Sequence, residues 1–386
     1  MSSENILIFW ICVGLLAYTF IGYPLLIIVL SRFCKSKKES KNNIYLPYVS
    51  VVLVVYNEAA KIKQRIENLL SSDYPNQLLE IVVVSDGSND ETETIVSGFN
   101  NQHIKFIKLD KRSGKPAGIN AAIEHCSGEI VIFCDARQKF NPDTIRILVS
   151  HFSDDKIGAV SGALEINQSS SSVGSGVDLY WKIEKLLRHS ESLIDSCIGC
   201  TGAVYAIRKK LFEPLPQDTI LDDVVCPMKI ALKGYQVIYD NSAIAFDPKP
   251  LEPESEKIRK QRTLAGNFQM LFRYPEWCLP FKNRLFWQLI SHKYSRLAGP
   301  LLMAGIFISN ISLISHPFYK LTFIGQIIFY LLAILGIIFK NARLKILSVP
   351  AGFLFLNLQV ISGFIYYIKN RNPQTWKTTN DNLNRV

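Results

Sequence analysis

From residue 6 to residue 30 the chain runs 25 residues without a charge. A helix of that length crosses the hydrocarbon core of a bilayer. Three further uncharged runs, 297–314, 321–339 and 346–368, crowd the C-terminal third. A soluble protein could bury such runs in a large core, but uncharged helices of this length are rare outside membranes. The start, MSSEN, lacks a basic leader, and the apolar run after it is too long for a signal-peptide core. It reads as a signal-anchor. The expected architecture is a water-soluble body held at a membrane by helices on both sides.

Charge gives that body a side. The chain carries 43 Lys and Arg against 33 Asp and Glu. Arg32, Lys35, Lys37, Lys38 and Lys41 follow the first apolar run. The excess of basic residues in short flanking loops puts that flank, and the body after it, in the cytoplasm, and the plasma membrane is the expected location. No basic helix or aromatic-basic sheet motif accompanies the positive charge, so nucleic-acid binding is not expected. Lipid headgroups and an anionic nucleotide account for it more simply. Cys197 and Cys200 form a CxxC pair. No second pair follows at zinc-site spacing, so reduced, buried thiols are expected.

Between the apolar flanks, strands and helices alternate. VSVVLVVYN (49–57), LEIVVVS (79–85), HIKFIKLD and EIVIFCDA (129–136) are β-branched runs. Segments 58–70 and 115–126 have helical spacing or helix-start signals. The pattern predicts an α/β, Rossmann-like fold, in which ligands sit outside the carboxyl ends of the strands. After Phe140 the alternation breaks. A loop is expected over 169–176, a long helix over 177–192, and an acid-started helix from Asp222, stopped by a glycine before another strand. Basic, aromatic segments over 257–292 suit amphipathic helices in the membrane interface.

Acidic residues close several of these runs: Asp86 in VVVSDGS, Asp135 in IVIFCDARQ, and Asp222 and Asp223 in ILDDVV. Neither GxGxxG nor a GxxxxGK[ST] loop is present, which disfavours a dehydrogenase or a P-loop ATPase. Lys115, at a helix start in RSGKPAGIN, pairs a lysine with helix amides as an anion site. A solvated lysine is the plainer reading.

Taken in order, VVYNEA, VVVSDGSND, SGKPAGIN, FCDARQ, TGAVYAIRK and ILDDVVCPMKI resemble the motif series of the membrane-bound enzymes of glycosyltransferase family 2. That group includes the cellulose, hyaluronan and poly-N-acetylglucosamine synthases. The resemblance covers roughly 49–269 and implies a GT-A-type α/β domain. By resemblance, Tyr56 and Glu58 face the nucleoside, Asp86 reads the base, and Lys115 lies near the diphosphate. Asp135 matches the first aspartate of the DxD element, which touches ribose and metal. Asp223 matches the general base, with Asp222 in place of the preceding glutamate.

The chemistry agrees with that assignment. An acceptor hydroxyl is a poor nucleophile and needs a carboxylate to take its proton. The departing diphosphate needs a cation such as Mg²⁺ or Mn²⁺. Asp222 could equally serve as a helix N-cap. Two departures stand out. The DxD element reads Asp135-Ala136-Arg137. Arg137 cannot ligate metal but can pair with phosphate, leaving phosphate, water or Asp247 to complete a metal shell. The family's QxxRW acceptor motif is replaced over 259–263: Arg259 stands for the glutamine, Arg262 for the arginine and Thr263 for the tryptophan. Trp181 is an acceptor-stacking candidate or a core residue. His292, with no acidic neighbour in sequence, reads as an interfacial basic residue.

The expected organisation is a transmembrane helix (1–33), a basic linker (34–46), a GT-A domain (47–250), interfacial helices (251–295), about three transmembrane helices (296–369) and a polar tail (370–386). The expected function is inverting transfer of a sugar from a nucleotide-sugar, a UDP-sugar, to a growing polysaccharide or lipid-linked glycan. The alternatives are a single-sugar transferase acting on a lipid, and a catalytically silent membrane partner in a glycan-assembly complex. Membrane lipids are expected partners. The sequence names no partner subunit.

Overall fold

The structure, a computed structural model, describes residues 3–34, 45–166, 172–248, 253–339 and 344–370. Most of the juxtamembrane linker, the first part of the expected 169–176 loop and nearly all of the polar tail lie outside these residues.

An eight-stranded sheet organises the soluble body, in the order β3-β2-β1-β4-β7-β6-β8-β5. The strands are β1 (Val49–Val55), β2 (Leu79–Asp86), β3 (Ile104–Leu109), β4 (Ile130–Cys134), β5 (Lys139–Phe140), β6 (Ile157–Ile166), β7 (Val204–Arg208) and β8 (Gln236–Asp247). The first four are parallel, whereas β7 runs antiparallel to both β4 and β6. The parallel half reads as near-continuous apolar runs because helices cover both faces. In β1, Val52 and Val54 pack into one core while Val49, Val51, Leu53 and Val55 pack into the other.

The expected elements up to β4 form within a residue or two of their predicted bounds: α3 (Ala59–Leu70) and α5 (Lys115–His125) connect strands, with the short α4 (Thr92–Ser97) between them. Beyond Phe140, α6 (Thr144–Ser150) and β6 form where no regular pattern was read. The long helix α7 (Ser172–Ile194) begins inside the segment expected to be a loop. Next comes α8 (Asp222–Leu232), closed by Gly234 at φ +95°, and α9 (Pro253–Arg273) follows β8. Two single turns, α10 (Phe286–Gln288) and α11 (Ser295–Leu297), bracket a π-helical stretch at Leu289–Tyr294.

Among the described residues, three helical stretches are long and apolar enough to cross a membrane: Ser3–Ser31, Pro317–Ile338 and Lys345–Lys369. The first is α1 (Ser3–Ala17), a π turn and α2 (Tyr23–Ser31) in continuous succession. The run 297–314 builds the 14-residue α12 (Gly299–Ser312). It is about 21 Å long, short of a bilayer core of about 30 Å. It lies along α1, where a Cβ on Gly305 would come within 2.7 Å of Cys12 Sγ. The last two spans are α13 (Pro317–Ile338) and α14 (Lys345–Lys369). The last packs on the soluble body: Gln261 Nε2 of α9 donates to Ser362 Oγ at 2.8 Å, and Phe268 meets Phe364 with ring centroids 4.9 Å apart.

Candidate active site

The carboxyl ends of β1, β2 and β4 meet at one edge of the sheet, in parallel register. Asn57, just past β1, takes φ +52°, a conformation that asparagine tolerates better than most residues. Its side chain exchanges two hydrogen bonds with Asn89, at 2.7 and 2.9 Å. The loops after β1 and β2 are thereby locked together. Asn57 was overlooked in the sequence, although an asparagine directly after a buried strand is a turn signal. Tyr56 lies under Arg112, whose guanidinium carbon is 4.1 Å from the ring centroid. Glu58 pairs with Lys61 at 2.5 Å.

Asp86 is 4% exposed. Its Oδ1 accepts the Ser113 amide at 2.6 Å and its Oδ2 the Gly114 amide at 2.9 Å. Burial raises its pKa against the pull of those two amides. Both oxygens are therefore already at work, fixing the turn that launches α5. Gly87 is required beside it: a Cβ there would lie 2.6 Å from the Arg112 amide nitrogen.

That turn delivers Lys115. Its Nζ lies 2.9 Å from Asp135 Oδ1 and 3.8 Å from Asp222 Oδ2. Burial lowers the lysine pKa, but Asp135 and Asp222 outweigh it and the net shift is upward. Lys115 thus joins the end of β4 to the start of α8, and three of the sequence candidates meet at one point. Asp222 is buried, and its Oδ2 has no hydrogen-bond partner.

Asp222 and Asp223 occupy the first turn of α8, where the helix dipole favours negative charge. The N-cap position is Leu221, without a side-chain cap, so the expected capping role of Asp222 is not what the structure has. Asp223 is held by a different device. Pro227 has no amide to return to the carbonyl four residues back. The Cys200 amide takes that Asp223 carbonyl instead, at 2.7 Å. The Gly202 amide donates to the side-chain Oδ2 of the same residue at 3.1 Å. The 200–202 turn therefore grips Asp223 at backbone and side chain together. Burial first, and then the Asp222 charge, raise the Asp223 pKa to about 6. A carboxylate so poised is ionised at neutral pH yet more basic than an ordinary aspartate.

Arg137, at the altered DxD position, is committed to Asp247: Nη2 donates to Oδ2 at 2.5 Å. Asp247 is 1% exposed and also accepts from Gln138 Nε2 at 3.0 Å. This pairing removes Asp247 from the metal shell entertained for it. Asp135 remains as a carboxylate whose side chain is 42% exposed. Among the described residues no group of three or more His, Cys, Asp or Glu is placed to hold a metal by itself. One accessible hard oxygen still suits Mg²⁺ or Mn²⁺, which are bound by one or two carboxylates with substrate phosphates and water completing the shell.

The acceptor candidates fall in a second cluster. Arg259 of α9 lies over Trp181 of α7 at 5.1 Å, and Lys260 lies 4.7 Å from the same ring and 4.5 Å from that of Tyr180. Trp181 Nε1 is buried without a partner. Arg262, three residues on from Arg259 along the same helix, is partly exposed. His292 differs most from expectation. It is fully buried, with Nδ1 2.8 Å from Glu191 and Nε2 3.0 Å from Glu184. The adjoining carboxylates come from α7, about a hundred residues away, and were invisible in the local sequence.

The family model for glycosyl transferase family 2 matches residues 50–215. The chain is 27% identical over 292 residues to a poly-beta-1,6-N-acetyl-D-glucosamine synthase of Staphylococcus epidermidis, covering 74% of this chain and 66% of that protein. It is 26% identical over 248 residues to the enzyme of the same name from Staphylococcus aureus, of which 60% is covered. Its fold resembles a mannosyltransferase from Pyrobaculum calidifontis, solved with GDP-Man and Mn²⁺, with a TM-score of 0.71 and 23% identity over 95% of this chain and 100% of that one. The motif series, the sheet order and these matches agree: residues 50–215 form a glycosyl transferase family 2 domain, and the fold is of the GT-A type.

Proposed function

We propose that this enzyme transfers a sugar, with inversion, from a nucleotide-sugar to a growing polysaccharide or lipid-linked glycan at a membrane surface, and that the donor is a UDP-sugar. The observation that carries the reading is the grip on Asp223, a carboxylate with a pKa raised to about 6, directly after the Asp222 that faces the Lys115–Asp135 pair. The polymer-forming relatives support a glycan acceptor. The three apolar helices support a membrane setting.

In this mechanism the acceptor hydroxyl attacks the anomeric carbon on the face opposite the diphosphate. Asp223 takes its proton as the new C–O bond forms and the bond to the diphosphate breaks. Tyr56, Glu58 and Asp86 line the nucleoside side, with Asp86 acting through the turn it fixes. Lys115 faces the diphosphate and Asp222 holds Lys115 in place. Asp135 would hold a divalent cation, which when bound neutralises charge on the departing diphosphate. Arg137 supports this edge through its pair with Asp247. Trp181, Arg259 and Arg262 line the acceptor side.

The test uses membranes carrying the full chain, a panel of radiolabelled nucleotide-sugars, and Mg²⁺ or Mn²⁺. Incorporation from one donor, a UDP-sugar, is expected. A long product supports polymerisation. A single added sugar on a lipid favours the alternative suggested by Thr263 at the tryptophan position. Failure of every donor both to react and to bind overturns the reading in favour of a silent partner.

A further inference from the structure

Behind Asp223 lies a buried lattice of charges that the mechanism above does not use. Glu184 of α7, its side chain 4% exposed, accepts from Arg188 Nε at 3.4 Å and from Arg296 Nη1 at 2.9 Å. The same carboxylate lies 3.0 Å from His292 Nε2 and 3.5 Å from Lys293 Nζ. Two turns on, Glu191 takes His292 Nδ1 at 2.8 Å and the Tyr23 hydroxyl of the apolar helix α2 at 2.5 Å. Buried charges persist only when paired and hydrogen-bonded, and here two carboxylates organise four basic side chains. The group they orient most directly toward the site is Arg188. Its Nη1 donates to Thr201 Oγ1 at 3.2 Å. Thr201 is itself pinned on β6: its amide donates to Ser161 Oγ at 2.9 Å and its hydroxyl to the Gly162 carbonyl at 2.8 Å. Thr201 is the middle residue of the turn whose Cys200 and Gly202 amides grip Asp223.

We propose that Arg188 is a positioning residue for sugar transfer: braced by Glu184, it holds the 200–202 turn against Asp223 and keeps a positive charge behind that base. This rests on Asp223 being the base. The close fit at the turn supports it, since a Cβ on Gly202 would lie 2.9 Å from Asp223 Oδ2. So does the electrostatic setting. Burial and then Asp222 on the same helix raise the Asp223 pKa, while Lys115 of α5, Arg188 of α7 and Lys293 of the π-helical stretch lower it. Burial first, with a smaller contribution from the Asp223 charge, raises the pKa of Cys200 and Tyr205. Removing the Arg188 charge takes away one of three cations that keep the carboxylate ionised.

The experiment measures kcat and donor KM against pH for the full-length protein in membranes, as wild type, Arg188→Gln, Arg188→Lys and Thr201→Val. Arg188→Gln is expected to move the acid limb of kcat upward by about one pH unit, with donor KM within about twofold. Arg188→Lys should return most of that shift. Thr201→Val keeps the side-chain shape and loses the hydroxyl, so it tests the brace even where Arg188→Gln fails to accumulate. It should move the limb in the same direction by less. An acid limb unmoved in every variant that folds, or a loss of equal proportion at every pH, overturns the inference and leaves Arg188 purely structural. If wild type transfers no sugar from any donor, the proposed function falls and this inference with it. If wild type is active and the limb stays fixed, this inference alone falls.

Discussion

The two sides of the candidate site are built by different means. On the proposed nucleotide side, Tyr56, Asp86 and Asp135 sit at or just past the ends of adjacent parallel strands, and Lys115 opens a helix fixed by Asp86. Each stands at the end of a strand or the start of a helix whose own segment of sequence marks it. On the membrane side, Tyr23, Glu184, Arg188, Glu191, His292 and Arg296 come from segments far apart in the chain, and only packing brings them together. The first arrangement rests on a few separate anchor residues. The second is cooperative, because each buried charge relies on the others. Asp223 stands where the two meet.

The sharpest test of that division is Asp223→Asn. Loss of the general base should lower kcat by about 10²–10⁴-fold, read as sugar incorporation, while donor binding stays intact. Next in size, Glu184→Leu leaves several buried basic groups without their carboxylate and should cost about 3–5 kcal/mol of stability, read by thermal unfolding in detergent. Asp135→Asn, on the nucleotide side, should weaken transfer with far less effect on unfolding, its side chain being 42% exposed. Equal destabilisation by the two would break the comparison.

A smaller effect is set by pH. With the Asp223 pKa at about 6, transfer should fall as pH drops through that value, because the base becomes protonated. For stability the sign is opposite. The folded protein takes up this proton at a higher pH than the unfolded chain does, so this group stabilises most below the ordinary aspartate pKa. That contribution is lost as pH rises through about 6. A pH–rate profile and a pH series of melting curves check the two signs separately. The smallest effect belongs to the exposed pair Arg146–Asp73 at 3.0 Å. Arg146→Ala should change stability by only about 0–1 kcal/mol, a surface baseline for the buried lattice.

The same contrast explains what could be read in advance. The strands and helices up to β4 were legible because parallel strands covered on both faces are β-branched runs, and their ends carry the site acids. Lys115 and Asp223 were singled out through ordered motifs. Arg137 was recognised as a departure, but its partner Asp247 lies 110 residues away, and no local pattern joins them. His292 sits in SHKYSR without an acid beside it, so its two carboxylates had no local trace. Pro227 did leave a signal, a proline within a helical pattern. Its consequence, a freed Asp223 carbonyl taken by Cys200, depends on the fold. The 14-residue length of α12 also escaped hydropathy, which counts charges and ignores where a helix ends.

The central claim is that Asp223 removes the acceptor proton from a position held by the 200–202 turn. The most direct measurement is transfer from the accepted donor by wild type and Asp223→Asn, with donor affinity determined on the same membranes. The account predicts unchanged affinity and a loss of transfer of at least about 10²-fold. Transfer by Asp223→Asn within a few-fold of wild type would contradict it and move the base to another residue.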